Sequence, residues 1–226
     1  MRILFFDTET NGLPLTKNAP VTDTKNWPQV VQIAWQVWEF APPGDEETPR
    51  PSMLETHSYL VKPSHEMVWN AGSFAIHKIS KERAYMAGTP GQEVFTAFSL
   101  ALNSAHVVCA HNLAFDKPVA LAEFVRHGID TGRWPRIEYC TCVNTKELLK
   151  LPSRFPKAWD MYKPPKLVEL YTFLYSPMST FEFHSAAGDV QCLVQCFLEL
   201  VRRRFVPLAT WDRNLRVILG TAVDAK

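Results

Sequence analysis

Apolar and polar positions along the chain follow two periods. Residues 3–6 (Ile3, Leu4, Phe5, Phe6) form an unbroken apolar run ending at Asp7, the pattern of a strand buried on both faces. Between 30 and 38, Val31, Ile33, Trp35 and Val37 alternate with Gln32, Ala34 and Gln36, which predicts a second, period-2 strand. The stretch 41–53 holds four prolines, one glycine and the acids Asp45, Glu46 and Glu47 in succession. It predicts a solvated loop leading to a third strand over 54–61. At 89–92, Thr89 can cap a helix, Pro90 fits its first position and Gln92 can complete a capping box. Val94, Phe95, Phe98, Ala101 and Leu102 then share one helical face. A short buried strand is expected at 107–110, a helix from about Lys117 with Pro118 in its first turn, and another strand at 137–141. A helix follows over 166–174. The strongest helix spans 189–204, where Val190, Leu193, Val194, Phe197, Leu198 and Val201 keep the 3.6-residue period. After Pro207, Trp211, Leu215 and Ile218 could form a last helix.

Strands thus come first, as an antiparallel group, and then alternate with helices. The fold class is α/β: a mixed sheet flanked by helices. One domain is expected over residues 1–206, with 207–226 an extension packed on it. There is no internal repeat.

Composition narrows the class. Of 226 residues, 46% are hydrophobic and 21% charged, enough to bury one sizeable core. No apolar run approaches the ~20 residues of a membrane span. The first carboxylate, Asp7, comes too early for a signal peptide, so the expectation is a soluble, cytoplasmic protein without a membrane partner. The net charge of +1 does not by itself mark a nucleic-acid binder. It does conceal a basic remainder if several acids are gathered around metal ions. Five cysteines, an odd number in a large chain, argue against a disulfide framework. Cys140-x-Cys142 and Cys192-x3-Cys196 could supply four zinc ligands, but neither spacing matches a common zinc pattern. Buried thiols are the favoured reading.

The candidate chemistry lies in carboxylates. Asp7 and Glu9 are two apart at the end of the first strand, so they share a face and repel unless a cation sits between them. Divalent ions such as Mg²⁺ and Mn²⁺ favour such hard oxygen ligands. Asp116 follows the strand at 107–110, where it also fits a helix cap. His184 and Asp189 would be about 140° apart if both were helical. His184 is therefore placed in the loop before the last strong helix, and Asp189 in its first turn.

The combination resembles a known family, the DEDDh group of DnaQ-like 3′–5′ exonucleases with an RNase H-like fold. Its three motifs are matched in order by Phe6-Asp7-Thr8-Glu9-Thr10, by His111-Asn112-Leu113-Ala114-Phe115-Asp116 and by His184-x4-Asp189. The resemblance covers about residues 1–203 and implies a mixed five-stranded sheet. It implies that Asp7, Glu9 and Asp189 ligate one metal ion (Mg²⁺ or Mn²⁺). Asp7 would bridge to a second ion supported by Asp116, and His184 would be the general base. It further implies that Thr10, Asn11, Gly12 and Leu13 meet the terminal nucleotide, with His77 and Asn112 as weaker contacts. The partner would be nucleic acid with a free 3′ end, single-stranded by preference. Proofreading would need a polymerase on a separate chain. The alternative is a non-catalytic or polymerase-associated nucleic-acid-binding module on the same fold, although none of the five residues is missing. Hydrolysis of a small nucleotide or very short oligomer is a third reading.

One further segment bears on the partner. Lys146, Lys150, Arg154, Lys157, Lys163 and Lys166 stand among Phe155, Trp159 and Tyr162, with only Glu147 and Asp160 opposing them. Cations with interleaved aromatics suit single-strand binding, and equally suit a solvated loop. Arg202, Arg203 and Arg204 end a helix, where cations offset the dipole.

Overall fold

Strand β1 (Arg2–Thr10) feeds two cores at once. Ile3 and Phe5 point to one face of the sheet, Leu4 and Phe6 to the other, and all four are fully buried. The computed structural model describes residues 1–40, 51–64, 66–130, 134–157, 160–176, 184–208 and 210–211. β1 pairs antiparallel with β2 (Val30–Phe40), which pairs antiparallel with β3 (Pro51–Leu60). On its other side β1 pairs parallel with β4 (Val107–Ala110), and β4 with β5 (Ile137–Cys140). The five-stranded order is β3-β2-β1-β4-β5, the mixed α/β sheet that the sequence predicts.

Helices cover both faces. The short helices α1 (Ala71–His77) and α2 (Lys81–Ala87) follow β3. On one face lie α3 (Gly91–Ser104) and α4 (Leu113–Arg126). After β5 come the single turns α5 (Thr141–Asn144) and α6 (Lys146–Leu149), then a separate two-stranded hairpin of β6 (Pro152–Lys157) and β7 (Asp160–Tyr162). The other face is covered by α7 (Leu167–Tyr175) and α8 (Ala186–Arg202). Phe197 of α8 anchors that core. Its ring meets Phe5 at 4.9 Å, Tyr139 at 5.6 Å and Trp211 at 6.3 Å. Leu208 and Trp211 join the same cluster. Residues 212–226, with Leu215 and Ile218, lie outside the described residues.

Several boundaries differ from the sequence expectation. β3 begins at Pro51, inside the stretch assigned to a loop, because cross-strand pairing with Phe40 and Glu39 extends it; residues 41–50 are outside the description. Thr89 does not cap α3. Its backbone N–H and carbonyl bond to Leu60 and Lys62, and Pro90 occupies the cap position. Gln92 reaches Thr96 instead of closing a capping box. α4 starts at Leu113, not near Lys117, so Asp116 sits within its first turn and is no cap. Pro118 removes one helical hydrogen bond, but burial of Leu113, Val119, Ala120 and Phe124 holds the earlier turn in place. α8 likewise starts three residues earlier than expected, at Ala186. Its apolar stripe is as predicted, with Leu198 and Val201 only partly buried. α1 and α2 were not anticipated; their signals were the caps Asn70 and Ser80, whose side chains accept from Ser73 and Arg83 N–H.

Candidate active site

Alternation along β1 sends Asp7 and Glu9 to the same face as Ile3 and Phe5, toward α8. Asp189 projects from the first turn of α8. One carboxylate oxygen from each of Asp7, Glu9 and Asp189 lies within 4.8 Å of the others. Among the described residues, no other group of three His, Cys, Asp or Glu converges in this way. The paired cysteines therefore find no third ligand there.

The start of α8 is fixed from two sides. Ser185 Oγ accepts from Gly188 N–H at 3.2 Å, and Gln32 Oε1 accepts from Ala186 N–H at 3.0 Å. These satisfy two helix-start donors that have no partner within the helix. Gln32 stands directly opposite Glu9 in the β1–β2 ladder, so one β2 side chain sets the helix carrying Asp189 against the strand carrying Glu9. His184 precedes the helix in a left-handed conformation, φ 68°, and its backbone N–H donates to Asp189 Oδ2 at 3.1 Å. It is the exposed loop residue that the sequence predicts.

Thr8 faces the opposite way from Asp7 and Glu9, toward α4. Its N–H and hydroxyl both donate to Asp116 Oδ1, at 3.2 and 2.7 Å. Asp116 is only 3% exposed. Thr8 and Gln32 are the supporting residues that the motif reading missed. The signal for both was present: each is a polar position in a strand whose alternation assigns its face.

The four acids destabilise one another's charge. Burial, then Asp116, Asp189 and Glu9, hold the Asp7 carboxyl well above the usual carboxylate range. Glu9 is pushed up to about 7 by burial, then by Asp189 and Asp116. Burial raises Asp116 to about 7 against the opposing Thr8 hydrogen bonds. Asp189 rises to about 6 through burial, opposed by the His184 N–H. Mutually repelling buried carboxylates are stabilised in their charged form by a cation held between them. The all-oxygen donor set fits hard divalent ions.

These side chains open into one cleft of about 750 Å³. Asp7, Glu9, Asp116, His184 and Asp189 all line it, as does Asn112. Its far wall is the segment 164–168 leading into α7. His111 fastens that wall. Its Nε2 bonds the Pro165 carbonyl and its Nδ1 the Thr141 hydroxyl, each at 2.9 Å. A carbonyl only accepts, so Nε2 carries the proton. Burial, partly opposed by the Pro165 carbonyl, lowers the His111 pKa to about 4, and the ring stays neutral.

The other expected substrate contacts do not line the cleft. Thr10 is buried, and its hydroxyl donates to the Gly12 carbonyl at 2.8 Å. Asn11 Nδ2 donates to Val68 O, while Asn11 Oδ1 accepts from Gln29 N–H. Leu13 is 79% exposed at the turn that follows. His77 is buried, and its Nδ1 accepts from Ile79 N–H at 3.0 Å.

No protein-family model matches the chain, and the search of curated proteins gave no match. Solved structures are similar to it. Exonuclease I from Methylocaldum szegediense aligns at 19% identity over 90% of this chain and 40% of its own, with TM-score 0.64. E. coli exonuclease I in complex with a dA16 oligonucleotide aligns at 16% identity over 90% and 42%, TM-score 0.65. The zinc-bound E. coli enzyme with single-stranded DNA aligns at 17% over 90% and 40%, TM-score 0.62. The chain spans about two-fifths of the length of these structures, and at such identities the likeness establishes the shared fold. Among the described residues no helix is long and apolar enough to cross a membrane.

Proposed function

We propose that this chain is a divalent-metal-dependent 3′–5′ exonuclease of the DEDDh type, releasing nucleoside 5′-monophosphates from single-stranded DNA, RNA or both. The observation that carries the reading is the convergence of Asp7, Glu9 and Asp189 oxygens within 4.8 Å, in a cleft also lined by Asp116 and His184. Exonuclease I structures that share the fold were solved with single-stranded DNA and with zinc, which supports the substrate class and the need for metal.

Asp7, Glu9 and Asp189 would hold one ion, and Asp7 with Asp116 a second. Bound there, such ions supply Lewis-acid activation of water and stabilise the leaving oxygen. His184 takes the proton from the attacking water. The water oxygen bonds to phosphorus as the P–O3′ bond breaks, and the departing 3′-oxygen is reprotonated to the hydroxyl of the shortened strand. Asp189 holds the His184 backbone through its N–H, which aims the loop at the cleft. Thr8 fixes Asp116.

The test is incubation of matched single-stranded and duplex DNA and RNA, 5′-labelled, with Mg²⁺, Mn²⁺ or EDTA. A ladder shortening from the 3′ end with either ion, abolished by EDTA and by Asp189→Ala, is expected. Undegraded strands under every metal condition would overturn the reading and favour a non-catalytic binding module.

A further inference from the structure

Two of the six cations of the basic segment singled out in the sequence are neutralised within the fold. Lys146 pairs with Asp160, and Lys163 bonds both oxygens of Glu169 at 2.6 Å. Lys150, Arg154 and Lys166 are exposed, and none of the three is ion-paired among the described residues. They frame the β6–β7 hairpin. Lys150 stands just before its base, Arg154 lies on β6, and Lys166 lines the cleft two residues past the Pro164 rim.

The hairpin itself needs an explanation. Its strands pair with each other and with no strand of the main sheet. Residues 154–157 are all exposed, so both faces of β6 are in water. Two-stranded hairpins are marginal alone, and this one places Phe155, 78% exposed, and Met161, 57% exposed, in solvent. The Arg154 guanidinium stacks over the Phe155 ring at 5.6 Å. That pair offers a π-face for a base beside a cation for a phosphate. From β7 the chain runs through Lys163 directly into the 164–168 wall of the cleft, so the hairpin and the cleft are continuous.

We infer that the β6–β7 hairpin is a platform for the single strand upstream of the 3′ end, with Phe155 stacking a base and Arg154 a phosphate contact. The inference rests on the exonuclease reading and names where its substrate lies outside the cleft. Phe155 is three residues beyond the Pro152–Tyr162 pair at the hairpin base, about 10 Å along a strand. A stacked nucleic-acid strand advances about 3.4 Å per nucleotide. No hairpin residue lines the cleft, so the platform acts upstream of the terminal nucleotide, by about three nucleotides counted from the hairpin base.

The full chain is compared with Phe155→Ala, Arg154→Ala and Arg154→Lys. Binding of fluorescein-labelled dT20 and of a 20-base-pair duplex is read by anisotropy in Ca²⁺, and kcat/KM is read in Mn²⁺ on dT20 and dT3. Phe155→Ala is expected to weaken dT20 binding about 5- to 100-fold. Arg154→Ala should flatten the log–log salt dependence by about 0.7, and Arg154→Lys should restore it. kcat/KM on dT3 should stay within about twofold, which also shows that the variants are folded. Unchanged dT20 affinity and salt slope, an equal loss on dT3, or an equal loss on duplex overturns the platform. Binding is read apart from cleavage. An inactive wild type therefore overturns the exonuclease reading, whereas an active one with indifferent variants overturns only the platform.

Discussion

Thr8 delivers two hydrogen bonds, from its backbone N–H and its hydroxyl, to the single oxygen Oδ1 of Asp116, 108 residues away. The pair joins the C-terminal end of the central strand β1 to the first turn of α4 and is buried. It fixes the one site acid that does not come from β1 or α8.

Thr8→Val keeps the shape and the backbone bond but removes the hydroxyl donor. A buried acceptor losing a partner costs about 1–3 kcal/mol, which is about 2–4 °C of Tm per kcal/mol in a chain of this size. Turnover should fall as well, since Asp116 loses its orientation. Thr8→Ser should recover both. Thermal melts and turnover on one oligonucleotide check this; a Val variant with unaltered turnover shows that the hydroxyl does not position Asp116.

Without metal, stability should fall as pH rises. The folded-state pKa values of Glu9 and Asp116 are about 7 and that of Asp189 about 6, all above ordinary carboxylate values. Between about pH 4 and 7 these carboxyls therefore bind more protons in the folded chain than in the unfolded one, and their contribution to ΔG of unfolding decreases with pH; the lowered pKa of buried His111 opposes it below about pH 6.5. Melts in EDTA should give a higher Tm at pH 5 than at pH 8. Adding Mn²⁺ at pH 8 should reverse the order, because ligand binding to the folded state stabilises it. A Tm in EDTA that climbs from pH 5 to 8 would contradict the electrostatic picture.

Asp7→Asn should separate activity from stability. Asp7 is repelled by Asp116, Asp189 and Glu9, so the neutral isostere should raise the Tm in EDTA at pH 8. It should also abolish Mn²⁺-dependent degradation. A variant less stable than wild type under those conditions would mean that the Asp7 charge is compensated in the metal-free fold.

His184→Ala should lower turnover by about 10²–10⁴ with Mn²⁺ affinity within about twofold, since the hydrogen bond from His184 to Asp189 comes from its backbone N–H, which alanine keeps. Calorimetric Mn²⁺ titration is the check. Lost affinity would make His184 a ligand instead of a base.

Gln32→Leu removes the acceptor of the Ala186 N–H at the start of α8. It should cost about 1–3 kcal/mol and weaken Mn²⁺ binding, because Asp189 rides on that turn. Equal Mn²⁺ affinity in the two proteins would show that Ser185 alone sets the helix start.

What the sequence determined by itself is whatever periodicity can carry. Period 2 in β1 put Asp7 and Glu9 on one face, and period 3.6 in α8 gave its buried stripe, with His184 in the loop ahead of it. The mixed sheet was legible for the same reason. Helix starts were less so. Thr89 looked like a cap until its backbone paired with Leu60 and Lys62, and Pro118 looked like a first-turn residue until packing drew α4 back to Leu113. Only the tertiary structure decided partners. That Thr8 meets Asp116, that Gln32 holds α8 against Glu9, and that Glu169 and Asp160 neutralise two of the six cations of the basic segment depend on which elements pack together. A local period fixes the direction in which a side chain points; contacts between residues about a hundred positions apart are set by the packing of whole layers.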